Sequence, residues 1–329
     1  MKLLLTGGTG FIGRRLTERL LARGWHVTAL VRRPESAEAR GLAALGATLA
    51  VGSVTERDSM LAAMRDVHMV VHNAGWYELG LTAEAREQMR QINVEGTRNT
   101  LGLAVALAVP RIVYTSSVVA FGDTGGVLAD ERFVRRAPPA SYYERTKAEA
   151  HAIATGLAER GAPIITVCPS QVIGPGDHSA WGELQRLYVR GLFPGVAWGA
   201  DYYHAHTHVD DVAEGIALAC ERGRPGETYI LAGENRTVRE IMAIWARHPG
   251  GQRVRLWLPA PAARLMAAPT EVLLRAIGQT AFISREAVTA LCTHLRFSGA
   301  KAEQELGARF RGQEQLWAET LAAERAAIA

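Results

Sequence analysis

The sequence predicts a doubly wound α/β fold, a parallel sheet with helices on both faces, joined to a smaller and mostly helical C-terminal lobe. Three observations predict it. Short apolar runs alternate with stretches of helical period, the first run opens straight into a glycine-rich turn, and the alternation breaks down beyond Pro169.

Lys2 to Thr6 is a short apolar run and reads as the first strand. Apolar residues at Phe11, Ile12, Leu16, Leu20 and Leu21, stopping at Gly24, give the first amphipathic helix. Further strands are predicted at Val27 to Val31, Thr48 to Val51, Met69 to His72, Ile112 to Thr115 and Ile164 to Val167, with two long helices at about 83–108 and 142–160. Beyond Pro169, Gly174, Pro175, Gly176, Gly191, Pro194, Gly195 and Gly199 are interleaved with Trp181, Tyr188, Phe193, Trp198, Tyr202 and Tyr203. A loop-rich aromatic segment after the last core strand is where substrate contacts are expected. A helix at about 210–221 and a strand at Thr228 to Leu231 return the chain to the sheet. The expected division is a sheet domain of residues 1–169, rejoined by 205–233, and a substrate lobe of 170–204 and 234–329.

With 48% hydrophobic and 21% charged residues, the 329-residue chain can bury a large core, which excludes disordered and fibrous classes. The 37 basic residues against 33 acidic ones give a net charge of +4. They are scattered among the acids rather than massed in one stripe, so no nucleic-acid partner is expected. Cys168, Cys220 and Cys292 lie far apart and are odd in number, which fits a reducing, cytoplasmic setting better than a disulfide framework. No run reaches the roughly 18 apolar residues of a membrane span, so no membrane partner is expected.

Thr6-Gly7-Gly8-Thr9-Gly10-Phe11-Ile12-Gly13 lies between the first strand and the first helix. Gly7 permits the turn, Gly10 lets backbone amides approach a pyrophosphate, and Gly13 lets helix pack on strand, so Gly7, Thr9, Gly10, Phe11, Ile12 and Gly13 are candidate dinucleotide contacts. About 20 residues on, where an acid would select the 2′-hydroxyl of NAD, stand Arg32 and Arg33. Guanidinium groups pair with a 2′-phosphate, so NADP(H) is the preferred cofactor and NAD(H) a possible one. Arg14, a cation in the first helical turn, hints at a nearby anion.

Further along stand Ser116-Ser117-Val118-Val119-Ala120-Phe121-Gly122 and Tyr142-Tyr143-Glu144-Arg145-Thr146-Lys147, with Tyr143 and Lys147 on one helical face. With the glycine loop, His72-Asn73-Ala74-Gly75, Asn93-Val94-Glu95-Gly96-Thr97, Pro169-Ser170-Gln171-Val172-Ile173-Gly174-Pro175-Gly176-Asp177 and His208-Val209-Asp210-Asp211-Val212, the chain resembles the extended short-chain dehydrogenase/reductases. Within that superfamily its pattern is closest to dihydroflavonol-reductase-like and 3β-hydroxysteroid-dehydrogenase-like members. The resemblance implies a Rossmann domain and a catalytic trio: Tyr143 as general acid/base, Lys147 lowering its pKa and holding the nicotinamide ribose, and Ser117 orienting the substrate oxygen. It also implies cofactor contacts at Ser53, Val54, Asn73, Ala74, Gly75, Pro169 and Val172, and it permits a homodimer through the long helices.

The lysine count offers an internal check. Only Lys2, Lys147 and Lys301 are lysine among the 37 basic residues, so a lysine kept at 147 suggests that arginine would not serve there. Two departures stand out. Ser53 replaces the aspartate that relatives carry beside adenine, and Val118 and Val119 replace the Asp-Glu pair of sugar-nucleotide dehydratases, which argues against dehydration. His204, His206 and His208 would place three imidazoles on one strand face. The resemblance instead makes His208 part of a structural turn, with Asp210 or Asp211 as a helix cap, and no metal is expected. Trp76 and Tyr77 are candidates for the cleft mouth, and Asn93 for an anchor of neighbouring backbone.

The resulting expectation is an NADP(H)-preferring oxidoreductase that interconverts a ketone or aldehyde and an alcohol on a moderately apolar small molecule. The first alternative is a nucleotide-sugar epimerase with tightly bound NAD, which needs Arg186, Arg190 or Arg239 to converge on a diphosphate. The second is a non-catalytic NADP-sensing regulator.

Overall fold

In the computed structural model, which describes residues 1–78, 81–276 and 284–328, the apolar runs become strands β1 (Lys2–Thr6), β2 (His26–Val31), β3 (Thr48–Val51), β4 (Met69–His72), β5 (Ile112–Thr115) and β6 (Ile164–Pro169). With β10 (Thr228–Leu231) they form one parallel sheet in the order β10-β6-β5-β4-β1-β2-β3. The helices over it are α1 (Phe11–Ala22), α2 (Ala37–Ala44), α3 (Leu61–Met64), α4 (Ala83–Arg90), α5 (Gly96–Ala106), α6 (Tyr142–Glu159) and α8 (Val209–Arg222). Both sheet faces are buried, which is why the central strands are continuous apolar runs rather than alternating ones. Leu3, Leu5, Val71 and Val167 pack towards α1 and α8, whereas Leu4, Val70, Ile112 and Tyr114 pack towards α5 and α6.

The chain order reverses between β1 and β4, and ligands bind beyond the carboxyl ends of the strands at such a switch point. The predicted helix at about 83–108 is α4 and α5 joined through a π-helical turn at Gln91–Glu95. That turn carries Asn93. Asn93 accepts from the Trp76 amide (2.7 Å) and donates to the Trp76 carbonyl (2.9 Å) and to Thr146 Oγ1 (3.0 Å). The amide that weakens a helix interior thus fastens the β4 exit loop to α6.

Beyond the main sheet, β7 (Gln171–Ile173), β9 (Tyr203–His208) and β11 (Asn235–Thr237) form a three-stranded sheet, and β8 (Val196–Trp198) pairs with β12 (Leu256–Leu258). Around them lie α7 (Ala180–Val189), α9 (Val238–Trp245), α10 (Ala260–Ala276), α11 (Arg285–Leu291) and α12 (Gln313–Ala326). Their shared core is aromatic: Trp245 and Trp317 are fully buried with ring centroids 5.1 Å apart, and Trp181 packs against both. Tyr188 and Phe193, expected at the substrate, lie in this core instead. The reason is periodicity, since Tyr188 sits one helical repeat beyond Trp181 on the inner side of α7 and donates its hydroxyl to Trp245 O (2.5 Å).

Candidate active site

A cleft of about 1780 Å³ runs along the carboxyl ends of the strands. That is room for more than one drug-sized molecule, for which roughly 300–1,000 Å³ is usual. Gly7, Thr9, Gly10, Phe11, Ile12, Arg32, Arg33, Ser53, Val54, Asn73, Ala74, Gly75, Ser117, Tyr143, Lys147, Pro169 and Val172 all line it. Residues drawn from seven stretches of sequence therefore meet in one cavity.

Gly13 is the candidate contact outside the lining, and its role is steric. A Cβ there would lie 1.9 Å from Gly7 O. Gly7 itself has φ +70°, and a Cβ on it would meet Ala74 Cα at 2.7 Å. The loop so compacted presents the N-terminus of α1 to the cleft with no side-chain cap, leaving its first amides free for an anion. Arg14 does not line the cleft; it is exposed and pairs with Glu18 (3.5 Å), so the anion it hinted at is an intrahelical carboxylate. Arg32 and Arg33 lie with Ser36 beside the N-terminus of α2. Ser53 lines the same end, its hydroxyl 2.8 Å from Thr55 Oγ1. Asn73 Oδ1 is buried without a hydrogen-bond partner among the described residues, a cleft-side acceptor. These features fit a nicotinamide dinucleotide.

At the centre, Ser117 lies two residues beyond β5 and caps a short 3₁₀ turn at Val118–Ala120, while Ser141 caps α6 by accepting from Glu144 N (3.1 Å). The cap sets where the helix starts and so puts Tyr143 and Lys147 on its cleft side. Burial pushes the Tyr143 phenol up to about 12, opposed by a hydrogen bond with Ser117, and pushes the Lys147 ammonium down to about 8. Lys147 Nζ donates to Thr115 O (3.2 Å). Burial, not the charge of Lys147, sets the Tyr143 pKa here: it raises the phenol, and the opposing influence is the Ser117 hydrogen bond. Behind the trio, Ser116 Oγ lies 2.9 Å from His151 Nδ1, and burial holds His151 down to about 4 and His72 down to about 3, so both imidazoles are neutral.

Sequence reasoning missed Arg135. Its guanidinium donates to Val119 O (2.6 Å), to Ala120 O (2.9 Å) and to Glu144 Oε1 (2.5 Å). It thereby ties the turn after Ser117 to the residue after Tyr143. The only sequence signal was an Arg-Arg pair in an irregular loop, indistinguishable from the other surface arginines.

The far end of the cleft is walled by Trp181, Leu184, Leu187, Leu192, Pro194, Val196 and Trp198, with Ala287, Ala290, Leu291 and Leu295 from the C-terminal segment. The aromatic segment supplies Trp181 and Trp198, and the four C-terminal residues fall in the second stretch of the expected substrate lobe, although the sequence reading singled out none of them. Trp76 and Tyr77 line the cleft, and Tyr77 meets the Tyr143 ring edge-on at 4.8 Å. Asp177 is buried there, holding Ser179 N and Oγ at 2.7 and 2.8 Å. Among the described residues, Arg32, Arg33 and Lys147 are the only lysines or arginines in the lining. Arg186 binds Asp177 O and Glu183, and Arg239 pairs with Asp201 and stacks on Trp257; these and Arg190 lie outside it.

The three strand histidines are engaged separately. His204 meets Leu291 O (3.1 Å), His206 packs between Trp181 and Trp317, and His208 caps α8 by accepting from Asp210 N (3.2 Å). The cap is His208 itself rather than Asp210 or Asp211, because Asp211 is taken up by Arg311 (2.7 Å).

The NAD-dependent epimerase/dehydratase family model matches residues 3–232. The chain is 33% identical, over 92% of its length and 88% of the relative, to a protein of Synechocystis whose name likens it to dihydroflavonol 4-reductase. It is 30% identical, over 93% of its length and 91% of the relative, to 4-hydroxy-2-methyl-3-oxo-4-farnesyl-3,4-dihydroquinoline-1-oxide ketoreductase of Stigmatella aurantiaca. The crystal structure of gox2253 superposes with a TM-score of 0.82 at 32% identity, covering 99% of this chain and 98% of that one. UDP-glucose 4-epimerase of Thermotoga maritima shares the fold, with a TM-score of 0.77 at 19% identity and 100% of both chains covered. By family model, relatives and fold together, the chain belongs to the NAD-dependent epimerase/dehydratase family of extended short-chain dehydrogenases/reductases, and is an NAD(P)-dependent oxidoreductase acting on CH–OH groups.

Proposed function

We propose that the protein is an NADP(H)-preferring reductase, or dehydrogenase in reverse, that interconverts a ketone or aldehyde and an alcohol on a moderately apolar small molecule. The observation that carries this reading is the chemistry of the cleft's far end: apolar walls meeting Ser117 and Tyr143, with no arginine among the described lining residues there. A nucleotide sugar would bring a diphosphate to that end, and Arg186 and Arg239, two of the cations it would need, are committed to other partners. The substrate lobe is taken as residues 170–204 and 234–329, the cofactor domain as 1–169 with 205–233, and the setting as cytoplasmic.

With the pyrophosphate of a dinucleotide held at the glycine loop, its nicotinamide would supply or accept the hydride. The Ser117 hydroxyl orients the carbonyl oxygen, and Tyr143, kept protonated by burial, donates the proton to that oxygen as the alcohol forms. In the reverse direction the Tyr143 phenolate takes the alcohol proton and becomes the phenol again. Lys147, charged below about pH 8, holds the ribose side of the cleft. Arg32 and Arg33 would hold a 2′-phosphate.

The test is a panel of ketones and aldehydes assayed by NADPH oxidation, with a UDP-sugar as the competing case. Tyr143→Phe is expected to cut carbonyl reduction by about 10²-fold or more while NADPH binding stays intact; full activity in that variant would overturn the assignment. NADPH should bind more tightly than NADH, and Arg32→Ala should weaken NADPH by roughly tenfold while leaving NADH unchanged. Equal affinities in the wild type would overturn the cofactor preference.

A further inference from the structure

The outward face of α10 carries a concentrated group of exposed apolar side chains: Leu265 (78% exposed), Met266 (55%), Val272 (67%) and Leu273 (62%). Spacings of seven residues, 265 to 272 and 266 to 273, put all four on one side of the helix. On the other side Ala263 and Ala267 are buried with Val288 and Cys292, against Trp198 and Leu258. The helix is thus apolar on two faces. One backs the cleft wall to which Trp198 belongs, and the other meets solvent. The long helices, where a homodimer was expected, show no such group: among the described residues α4, α5 and α6 expose no large apolar side chain.

Charge distinguishes the possible occupants. The chain as a whole is nearly balanced, but residues 247–275 hold Arg247, Arg253, Arg255, Arg264 and Arg275 against the single acid Glu271. Arg253, Arg255 and Arg264 are exposed, and so is Leu256, which follows Arg255 into β12 and leads to α10. A second copy on the same face would set these arginines against their equivalents, and four side chains fall far short of the roughly 20–30 residues a side of a standard protein interface. An apolar helix face on a stretch of chain that exposes Arg253, Arg255 and Arg264 matches the interface of an anionic bilayer, where each basic residue adds about a fivefold gain in partitioning.

We propose that α10 lies in the plane of an anionic membrane surface, with Leu265, Met266, Val272 and Leu273 in the lipid and the neighbouring arginines at the headgroups. Among the described residues no helix is long and apolar enough to cross a membrane, so the contact is peripheral. It sets the apolar wall of the cleft about one helix diameter, roughly 10 Å, from the lipid, within reach of a substrate that partitions into the bilayer. The surface contact does not depend on the reaction chemistry.

The test is co-sedimentation of the full chain with sucrose-loaded vesicles, either phosphatidylcholine alone or phosphatidylcholine with one quarter phosphatidylglycerol, in low and high salt. The expected result is binding to the anionic vesicles, at least tenfold weaker on phosphatidylcholine and largely lost in high salt. Leu265→Gln with Leu273→Gln, and separately Arg253→Gln with Arg255→Gln, are each expected to lower binding about tenfold or more while thermal stability and NADPH binding stay at wild-type values. No binding to either vesicle, or equal binding by wild type and both variants, would overturn the proposal. So would light scattering that shows a dimer broken by the leucine variant with no vesicle binding, because the face would then belong to a second copy.

Discussion

At the dinucleotide end of the cleft the wall is largely backbone. Gly7 sits at φ +70°, Gly13 leaves no space for a methyl group, and α1 offers uncapped amides. At the substrate end the wall is side chains from separate segments: Trp181 and Leu184 from α7, Trp198 from β8, Ala290 and Leu291 from α11. A backbone wall tolerates almost no substitution, because a peptide cannot repack around an added atom. A side-chain wall tolerates many at modest cost, because volume can be redistributed. One end is therefore suited to a fixed ligand and the other to whichever substrate its side chains admit.

Three measurements sharpen that comparison, beyond those on Tyr143 and Arg32. The largest effect is expected from Gly13→Ala, whose methyl group would lie 1.9 Å from Gly7 O. NADPH affinity should fall more than about a hundredfold, or the protein should lose stability outright, as read by cofactor titration and thermal melting; wild-type behaviour in both would remove the backbone-wall account. Next, Arg135→Met should lower the turnover number by roughly 10- to 100-fold with NADPH affinity unchanged. Its hydrogen bonds hold the Ser117 turn against the Tyr143 helix but do not touch the glycine loop. A parallel fall in both quantities would mean that Arg135 supports the fold in general rather than the spacing of the trio.

The third effect is the pH profile of reduction. Burial lowers Lys147 to about 8 and raises Tyr143 to about 12. As pH rises from 7 to 9 the lysine loses its proton while the phenol keeps its own, so activity should fall, by roughly tenfold at pH 9. A rate that rises over that interval would mean that deprotonation of some group, and not retention of the ammonium, limits the reaction.

Much of the site was legible because its residues sit at fixed offsets from strand ends. Ser117 follows β5, Tyr143 and Lys147 are one helical turn apart, and the glycine spacing obeys a steric rule that needs no tertiary information. The illegible parts depend on what a side chain meets across the fold. Arg14 and Arg135 look alike in the sequence, yet one is an exposed intrahelical ion pair and the other clamps the active turn. Tyr188 and Trp181 lie on one side of α7, yet their positions along the helix put the first wholly in the core and leave the second at the cleft. The Tyr143 pKa was expected to be lowered by Lys147, whereas the burial that raises it exists only once the chain is folded.

The sequence by itself determined the order of strands and helices, the glycine loop, and the pairing of a phenol with one of only three lysines. Periodicity, steric necessity and residue chemistry act over a few positions and leave a local trace. The tertiary structure alone decided that the far end of the cleft is apolar, which arginines are spent on structural partners, and that α10 turns a second apolar face outward. Those properties are set by distances between residues tens to hundreds of positions apart, and local pattern carries no record of them.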